Sequence, residues 1–93
     1  MVTLEEIEAV LQDRLAQPGE GSYSVTLLRD SELARRKIME EAFELCLELG
    51  REPLDPQRTA SEAADLLFHA LAGLAGAGVP LSAVMNELDG RRR

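Results

Sequence analysis

The chain contains 93 residues, of which 45% are hydrophobic but only 3% aromatic, and its net charge is −7. This length fits one domain with an aliphatic core, and the shortage of aromatic residues favours helices over strands. The negative charge argues against nucleic acid and anionic membranes as partners, and the single cysteine, Cys46, excludes a disulfide bond within the chain. We therefore expect a small helical protein of the reducing cytoplasm, with Cys46 in its core.

The first predicted element is a helix from about residue 4 to residue 16. Thr3 is suited to cap it, because Glu6 follows three residues later and apolar residues then recur at helical spacing. The N-terminus is acidic from its fifth residue and has no basic segment, unlike a signal peptide. Pro18 follows the helix, and residues 21–30 show no clean period. We predict an ordered loop there, which in so small a domain is typical of a functional segment.

Three further helices are predicted, over about residues 31–50, 56–76 and 80–88. Gly50 closes the first of these, and Pro80 occupies a favoured first position in the last. Residues 66–86 carry no formal charge and are long enough to span a bilayer. Glycines and Pro80 interrupt this segment, so we expect two buried helices joined by a turn and no membrane span. The predicted fold is all-α, with four helices.

Two of these helices carry the same spacing of polar residues. In each helix the polar residues lie at i, i+4, i+7 and i+11, and the second set repeats the first 21 residues later. At about 100° per residue each set occupies an arc of roughly 60°, so each helix has one narrow polar stripe. The two stripes are Lys37, Glu41, Glu44 and Glu48 in one helix, and Arg58, Glu62, Asp65 and His69 in the other.

An antiparallel hairpin of these helices, centred near residue 53, would bring their acidic residues to the same height. Glu44 is then level with Glu62, and Glu41 is level with Asp65. Four carboxylates in one groove repel one another, and burial penalises their charge further. A hard divalent cation removes this cost, and carboxylate oxygens are the ligands that Mg²⁺ and Mn²⁺ prefer. The sequence therefore predicts a metal site formed by these four side chains.

A simpler interpretation stands beside the metal site. Charged residues spaced by three and four positions usually form only the solvated face of an amphipathic helix. The chain would then be a non-enzymatic helical dimerisation module. Two features favour the metal site: both stripes are narrow on helices that are otherwise apolar, and acids cluster at one height instead of alternating with lysine.

The ordered motifs resemble a known family. KIMEEAFE (37–44) followed by SEAADLLFH (61–69) is similar to the paired E-x-x-E and E-x-x-D motifs of the all-α nucleoside triphosphate pyrophosphohydrolases, the MazG-like superfamily. One E-x-x-E is a weak signal, whereas the ordered set at this spacing is a strong one. Within the superfamily, the resemblance to phosphoribosyl-ATP pyrophosphohydrolases extends to GSYS (21–24), Leu27, Leu28 and VPLSAVMNEL (79–88).

This resemblance implies hydrolysis of phosphoribosyl-ATP to phosphoribosyl-AMP and pyrophosphate in histidine biosynthesis, with Mg²⁺, or alternatively Mn²⁺, as the cofactor. It also implies a homodimer, and the wide apolar helix faces favour one independently, because 93 residues cannot cover them all. Glu40 is a candidate to hold a second ion or to orient the attacking water. Lys37 is a candidate to bind phosphate, unless it only pairs with Glu41 one turn away.

Further candidates to bind the nucleotide lie in the predicted loop and on the second stripe. Packing roles stay open as alternatives for the tyrosine and the histidine among them. The candidates are Ser22, Tyr23, Ser24, Arg29 and His69.

Three positions depart from the family's usual pattern. The family commonly has glycine where Met39 stands, threonine where Ser24 stands and isoleucine where Ala34 stands. None of these differences removes a predicted metal ligand. They leave open a second function for the same fold, namely the removal of unwanted deoxynucleotides by a house-cleaning pyrophosphatase.

Overall fold

Five α-helices make up the described part of the chain, which in the computed structural model comprises residues 1–17, 19 and 22–92. No strand occurs among these residues, so the all-α prediction is confirmed. Pro18 and Gly21, predicted to lie at a helix end and in a loop, fall outside the described residues. In chain order the helices are α1 (Leu4–Ala16), α2 (Tyr23–Arg29), α3 (Ser31–Leu49), α4 (Pro56–Gly76) and α5 (Leu81–Gly90).

Polar side chains fix where three of the helices begin. Thr3 Oγ1 accepts a hydrogen bond from the backbone N–H of Glu6 at 3.1 Å, as its position before α1 predicted. Asp30 Oδ1 accepts one from Leu33 at the start of α3, and Asp55 accepts two at the start of α4. Each cap satisfies N–H groups that have no partner within the helix. The caps at Asp30 and Asp55 thereby set the ends of the two helices that carry the polar stripes.

The prediction of a loop over residues 21–30 is wrong, because Tyr23–Arg29 forms α2. Ser22 caps this helix by accepting a hydrogen bond from the backbone N–H of Val25 at 3.4 Å. Val25, Leu27 and Leu28 are buried against the neighbouring helices. A helix of 7 residues is too short for a repeating apolar period to show in the sequence. Tertiary packing, and not intrinsic propensity, stabilises a helix of this length.

The core lies at the end of the α3–α4 pair that is remote from the connecting turn. There α1, α2, the C-terminal half of α4 and the first residue of α5 meet the start of α3. The acidic residues of α3 and α4 lie further toward the turn and outside this apolar cluster. The buried residues of the cluster are Leu11, Leu27, Leu28, Ala34, Leu71, Ala72, Ala75 and Leu81.

A sharp bend separates α4 from α5. Gly78, with a φ of 75°, lies in the connection, and Glu8 of α1 accepts a hydrogen bond from the backbone N–H of Leu81 at 2.6 Å, where Pro80 provides no side-chain cap. Within the described residues, no single helix is both long and apolar enough to cross a bilayer. The pair α4 and α5 reaches that length and composition only together, and its two helices are bent by 111°.

One face of the α3–α4 pair is apolar and exposed. It is formed by Met39, Phe43 and Leu47 of α3 together with Leu67 of α4. The prediction that Cys46 lies in the core is wrong for the single chain, because Cys46 is also exposed. At about 100° per residue, Cys46 is turned well away from the Glu41 side of α3. Burial of these side chains therefore needs a partner beyond the single chain.

A substitution at Gly76 tests how closely α4 packs against α2. A Cβ atom at this position would lie 2.6 Å from the carbonyl oxygen of Leu28, and backbone cannot yield as a flexible side chain can. We expect Gly76→Ala to lower the free energy of unfolding by about 1–3 kcal/mol in urea titrations. Gly90→Ala is the matched control, since a Cβ at the end of α5 meets nothing within 4 Å. Equal loss in both variants, or in neither, would contradict the described contact.

Candidate metal centre

The α3–α4 hairpin positions the acidic residues. These two helices pack against each other more extensively than any other pair in the described chain. Glu41 of α3 and Glu62 and Asp65 of α4 each offer a carboxylate oxygen, and the three oxygens lie within 4.8 Å of one another. Glu44 lies beside them, close enough to raise the pKa of both Glu41 and Glu62. The hairpin therefore brings together all four carboxylates that the register predicted.

Burial of Glu41 and partial burial of Glu62 make this cluster electrostatically costly, although Glu44 and Asp65 are exposed. Glu41 is only 7% exposed, and burial, followed by the charges of Glu44 and Asp65, raises its pKa above the ordinary value of 4.5. Burial is likewise the main cause of the raised pKa of Glu62, and Glu44 is the next cause. A raised carboxyl pKa means that the environment disfavours the ionised form. The surroundings within the chain therefore do not compensate these charges.

Two oxygens in the cluster have no hydrogen-bond partner. Oε2 of Glu41 and Oε2 of Glu62 are both buried and unpaired among the described residues. Lys37 is the nearby cation, and its ammonium nitrogen lies 3.7 Å from Glu41 Oε1 and 3.4 Å from Glu40 Oε2. One ammonium group shared with Glu40 cannot balance four carboxylates. A buried carboxylate oxygen without a partner destabilises the folded state unless a ligand binds to it.

The donor set fits a hard divalent cation. The clustered ligands are all carboxylate oxygens, whereas both ring nitrogens of His69 are engaged in other hydrogen bonds. Oxygen ligands favour Mg²⁺ or Mn²⁺, and Zn²⁺ prefers nitrogen and sulfur. Among the residues present, Glu41, Glu44, Glu62 and Asp65 could hold such an ion. The unpaired oxygens of Glu41 and Glu62 are the observation that supports this assignment.

Glu48 follows Glu44 in the polar stripe of α3. It shows how the same hairpin accommodates a buried carboxylate outside the cluster. It is as buried as Glu41, with 4% exposed, but two arginines neutralise it. Arg58 of α4 donates a hydrogen bond to Glu48 Oε2 at 3.2 Å, and Arg51 Nε forms an ion pair at 2.9 Å with Glu48 Oε1. The pair between Arg58 and Glu48 joins α4 to α3 at the turn end of the hairpin. Oε1 of Glu48 also lacks a hydrogen-bond partner, so the difference lies in charge. Two guanidinium groups balance Glu48, whereas no arginine among the described residues pairs with Glu41 or Glu62.

Tyr23 contacts His69, which lies at the opposite end of the two polar stripes from Glu48. The hydroxyl of Tyr23 and Nε2 of His69 are 2.9 Å apart, and Nδ1 of His69 lies 2.6 Å from the backbone carbonyl of Asp65. Each residue was a candidate from the sequence, but their pairing was not predicted. It depends on α2, whose helical structure the sequence did not reveal. The cap at Ser22 was the one local signal for that helix.

The remaining candidates are placed differently. Glu40 is exposed next to the cluster and pairs with Lys37. Ser22 caps α2 and also accepts a hydrogen bond from Arg14 at 3.3 Å. Ser24 is half-buried in α2. Arg29 lines a separate apolar groove of about 530 Å³ between α2, α3 and α4, whose lining contains none of the four clustered carboxylates.

Comparison with known proteins identifies the family. A family model described as phosphoribosyl-ATP pyrophosphohydrolase matches residues 4–92. The chain belongs to the phosphoribosyl-ATP pyrophosphohydrolase family. Membership in this family confirms the resemblance drawn from the motifs of α3 and α4.

Members of the phosphoribosyl-ATP pyrophosphohydrolase family align with nearly the whole chain. The phosphoribosyl-ATP pyrophosphatase of Methanoculleus marisnigri is 40% identical over 93 residues, covering 97% of this chain and 94% of that protein. That of Methanosphaerula palustris is 43% identical, with coverages of 97% and 92%. The histidine biosynthesis trifunctional protein of Neurospora crassa is 42% identical over 88 residues, which are 95% of this chain but 10% of that protein. In the fungal protein the matching region is thus a small part of a longer chain.

The raised pKa values predict how stability depends on pH without metal. The folded state retains protons on Glu41 and Glu62 at pH values where the unfolded chain has released them. The stability from this proton uptake is present at and below the ordinary pKa of 4.5 and is lost as pH rises through the raised pKa values. In EDTA we therefore expect Tm to fall as pH rises above the ordinary carboxyl pKa of 4.5, and Mg²⁺ to oppose that fall.

The variant Glu41→Gln tests whether the charge of the carboxylate cluster lowers Tm in EDTA. The substitution removes a buried charge from the cluster, so Tm in EDTA should rise and the gain from Mg²⁺ should disappear. Glu87→Gln removes the same charge from an exposed pair with Arg91 and should change neither quantity. A lower Tm for Glu41→Gln in EDTA, measured by thermal unfolding, would show that the carboxylates are already compensated within the fold.

Proposed function

We propose that this protein hydrolyses phosphoribosyl-ATP to phosphoribosyl-AMP and pyrophosphate in histidine biosynthesis, in the cytoplasm. The observation that carries the proposal is the convergence of Glu41, Glu62 and Asp65 on the α3–α4 hairpin, where one oxygen each of Glu41 and Glu62 is buried and unpaired. Relatives support the proposal, because proteins about 40% identical over nearly the full chain are phosphoribosyl-ATP pyrophosphatases. The reaction consumes one water, whose oxygen forms a bond to phosphorus as the bridging α–β phosphoanhydride bond breaks.

The carboxylates hold the cofactor in this proposal. Glu41, Glu44, Glu62 and Asp65 provide oxygen ligands from two rigid helices, so their spacing is preorganised. When bound, Mg²⁺ or Mn²⁺ supplies positive charge for the phosphate oxygens and acidifies coordinated water. The acidic protein thereby accepts a polyphosphate that its own net charge of −7 would repel.

Two residues beside the ligands act on the water and the phosphates. Glu40 is exposed at the rim of the cluster, and its carboxylate accepts a hydrogen bond from the attacking water or assists a second ion. Lys37 offers a mobile ammonium group to a phosphate oxygen, and it exchanges its contacts with Glu40 and Glu41 for the substrate. Ser22 and Ser24, at the start of α2, are further candidates to donate hydroxyl hydrogen bonds to the nucleotide.

The active form in this proposal is a homodimer. Met39, Phe43, Leu47 and Leu67 form an exposed apolar face on the two helices that also carry the carboxylates. A second copy that buries this face would stiffen the hairpin and remove apolar side chains from water. Sedimentation that detects only monomer at micromolar concentration would overturn this part of the proposal.

Pyrophosphate release tests the function. We expect turnover of phosphoribosyl-ATP with Mg²⁺, none with EDTA, and a clear preference over the deoxynucleoside triphosphates. Glu41→Gln and Asp65→Asn should lower kcat/KM by about 100-fold or more, since each removes a charged ligand. Glu87→Gln, in the exposed pair on α5, should retain wild-type activity.

Two other outcomes would reject the proposal in different ways. Preference for a deoxynucleotide would assign the chain to a house-cleaning pyrophosphatase of the same fold. No metal-dependent turnover of any nucleotide, with stable Glu41→Gln and Asp65→Asn variants, would instead indicate a helical dimerisation module with solvated acids.

A further inference from the structure

His69 is a buried polar residue whose role the carboxylate cluster does not explain. It is 7% exposed, and both of its ring nitrogens are engaged. Nδ1 lies 2.6 Å from the backbone carbonyl oxygen of Asp65, one turn earlier in α4, and Nε2 lies 2.9 Å from the hydroxyl of Tyr23 in α2. The first of these partners belongs to Asp65, a member of the carboxylate cluster.

The carbonyl of Asp65 determines the tautomer of the histidine. A carbonyl oxygen can only accept a hydrogen bond, so Nδ1 of His69 carries the hydrogen. In the neutral imidazole Nε2 is then an acceptor, and the Tyr23 hydroxyl donates to it. With His69 neutral, the hydroxyl hydrogen of Tyr23 is therefore bonded to the histidine, and the Tyr23 oxygen presents only lone pairs to a ligand.

Aromatic packing holds this arrangement in place. The His69 ring makes edge contacts with Tyr23, at a centroid distance of 5.8 Å, and with Phe68, at 5.4 Å. Phe68 packs against the hydrophobic core. The imidazole is thus fixed by two hydrogen bonds and two rings. A side chain held in this way can orient its neighbour.

Tyr23 is the exposed member of the pair. It is 49% exposed and is the first residue of α2. Its hydroxyl lies near Lys37, whose pKa is raised mainly by Glu40 and also by Tyr23. Tyr23 therefore stands between the buried histidine and the open groove, at the height of the lysine that we assign to phosphate.

We propose that His69 is a positioning residue, which holds Tyr23 as a hydrogen-bond acceptor for the nucleoside part of the bound nucleotide. The proposal rests on the proposed function for the identity of the substrate. Because its hydroxyl donates a hydrogen bond to His69, Tyr23 cannot donate one to a phosphate. Its oxygen can accept a hydrogen bond from a ribose hydroxyl. The metal-bound phosphates lie toward the carboxylates, and Tyr23 lies beyond them beside Lys37, where the α-phosphate joins the ribose.

Kinetics of four variants test this role. Tyr23→Phe removes only the hydroxyl, and His69→Leu removes the acceptor that orients it. Each should raise KM for phosphoribosyl-ATP by up to about tenfold, the usual value of one hydrogen bond, with kcat changed by less than about twofold. The double variant should be no worse than the more impaired single variant, because both act through the same bond. His69→Gln keeps an acceptor oxygen near the position of Nε2 and should restore most of the affinity.

A purely structural tie between α2 and α4 predicts other results. Tyr23→Phe would then lower Tm without changing KM, and the two single effects on KM would be absent or would multiply in the double variant. Either result would overturn the proposal. If His69→Leu does not fold, the KM of Tyr23→Phe decides alone.

Intrinsic fluorescence gives a readout that does not require turnover. The chain has one tyrosine and no tryptophan, so its emission reports Tyr23 alone. We expect α,β-methylene-ATP with Mg²⁺ to change this emission, and Mg²⁺ alone to leave it unchanged, after correction for absorbance with N-acetyltyrosinamide. No response to the analogue would count against contact with Tyr23. A response in a protein that does not hydrolyse phosphoribosyl-ATP would reject the proposed function while supporting the contact.

Discussion

The mutual repulsion of four carboxylates on one helical hairpin is the constraint on which the site depends. Glu41, Glu62 and Asp65 converge within 4.8 Å, and within the part of the chain that the structure describes no arginine forms an ion pair with them. The contrast with Glu48 is informative, because the same hairpin neutralises that buried carboxylate with Arg51 and Arg58. The cluster is therefore not a general consequence of acidic composition. It is a local deficit of positive charge that a divalent cation would fill, and the bound cation would in turn attract a polyphosphate.

The rest of the fold serves to hold that hairpin. The cap at Asp55 and the ion pairs of Glu48 fix the turn end, while α1, α2 and α5 cover the other end with apolar side chains. The acids lie between two stable regions, where rigid helices maintain their spacing. Such an arrangement accounts for a costly charge cluster in a small domain, because stability gained elsewhere offsets local repulsion.

Periodicity and register predicted the hairpin, since both depend on residues close in sequence. The narrow stripes and the centre near residue 53 were sufficient to bring Glu41 level with Asp65. The helix α2 was missed because its 7 residues are stabilised by tertiary burial of Leu27 and Leu28. Cys46 was misplaced because an apolar stretch does not reveal whether its own chain or another copy covers it. The contact between Tyr23 and His69 joins residues 46 positions apart, which local patterns cannot predict.

A diffraction experiment with Mn²⁺ shows directly whether the carboxylates of the α3–α4 hairpin bind a divalent cation. Anomalous scattering would locate the ion in crystals of the wild-type protein, without any assumption about substrate. We expect a peak within coordination distance of Glu41, Glu62 and Asp65, about 2.0–2.5 Å from their oxygens. A structure at saturating Mn²⁺ in which these side chains turn into bulk water, with no ion between them, would contradict this expectation.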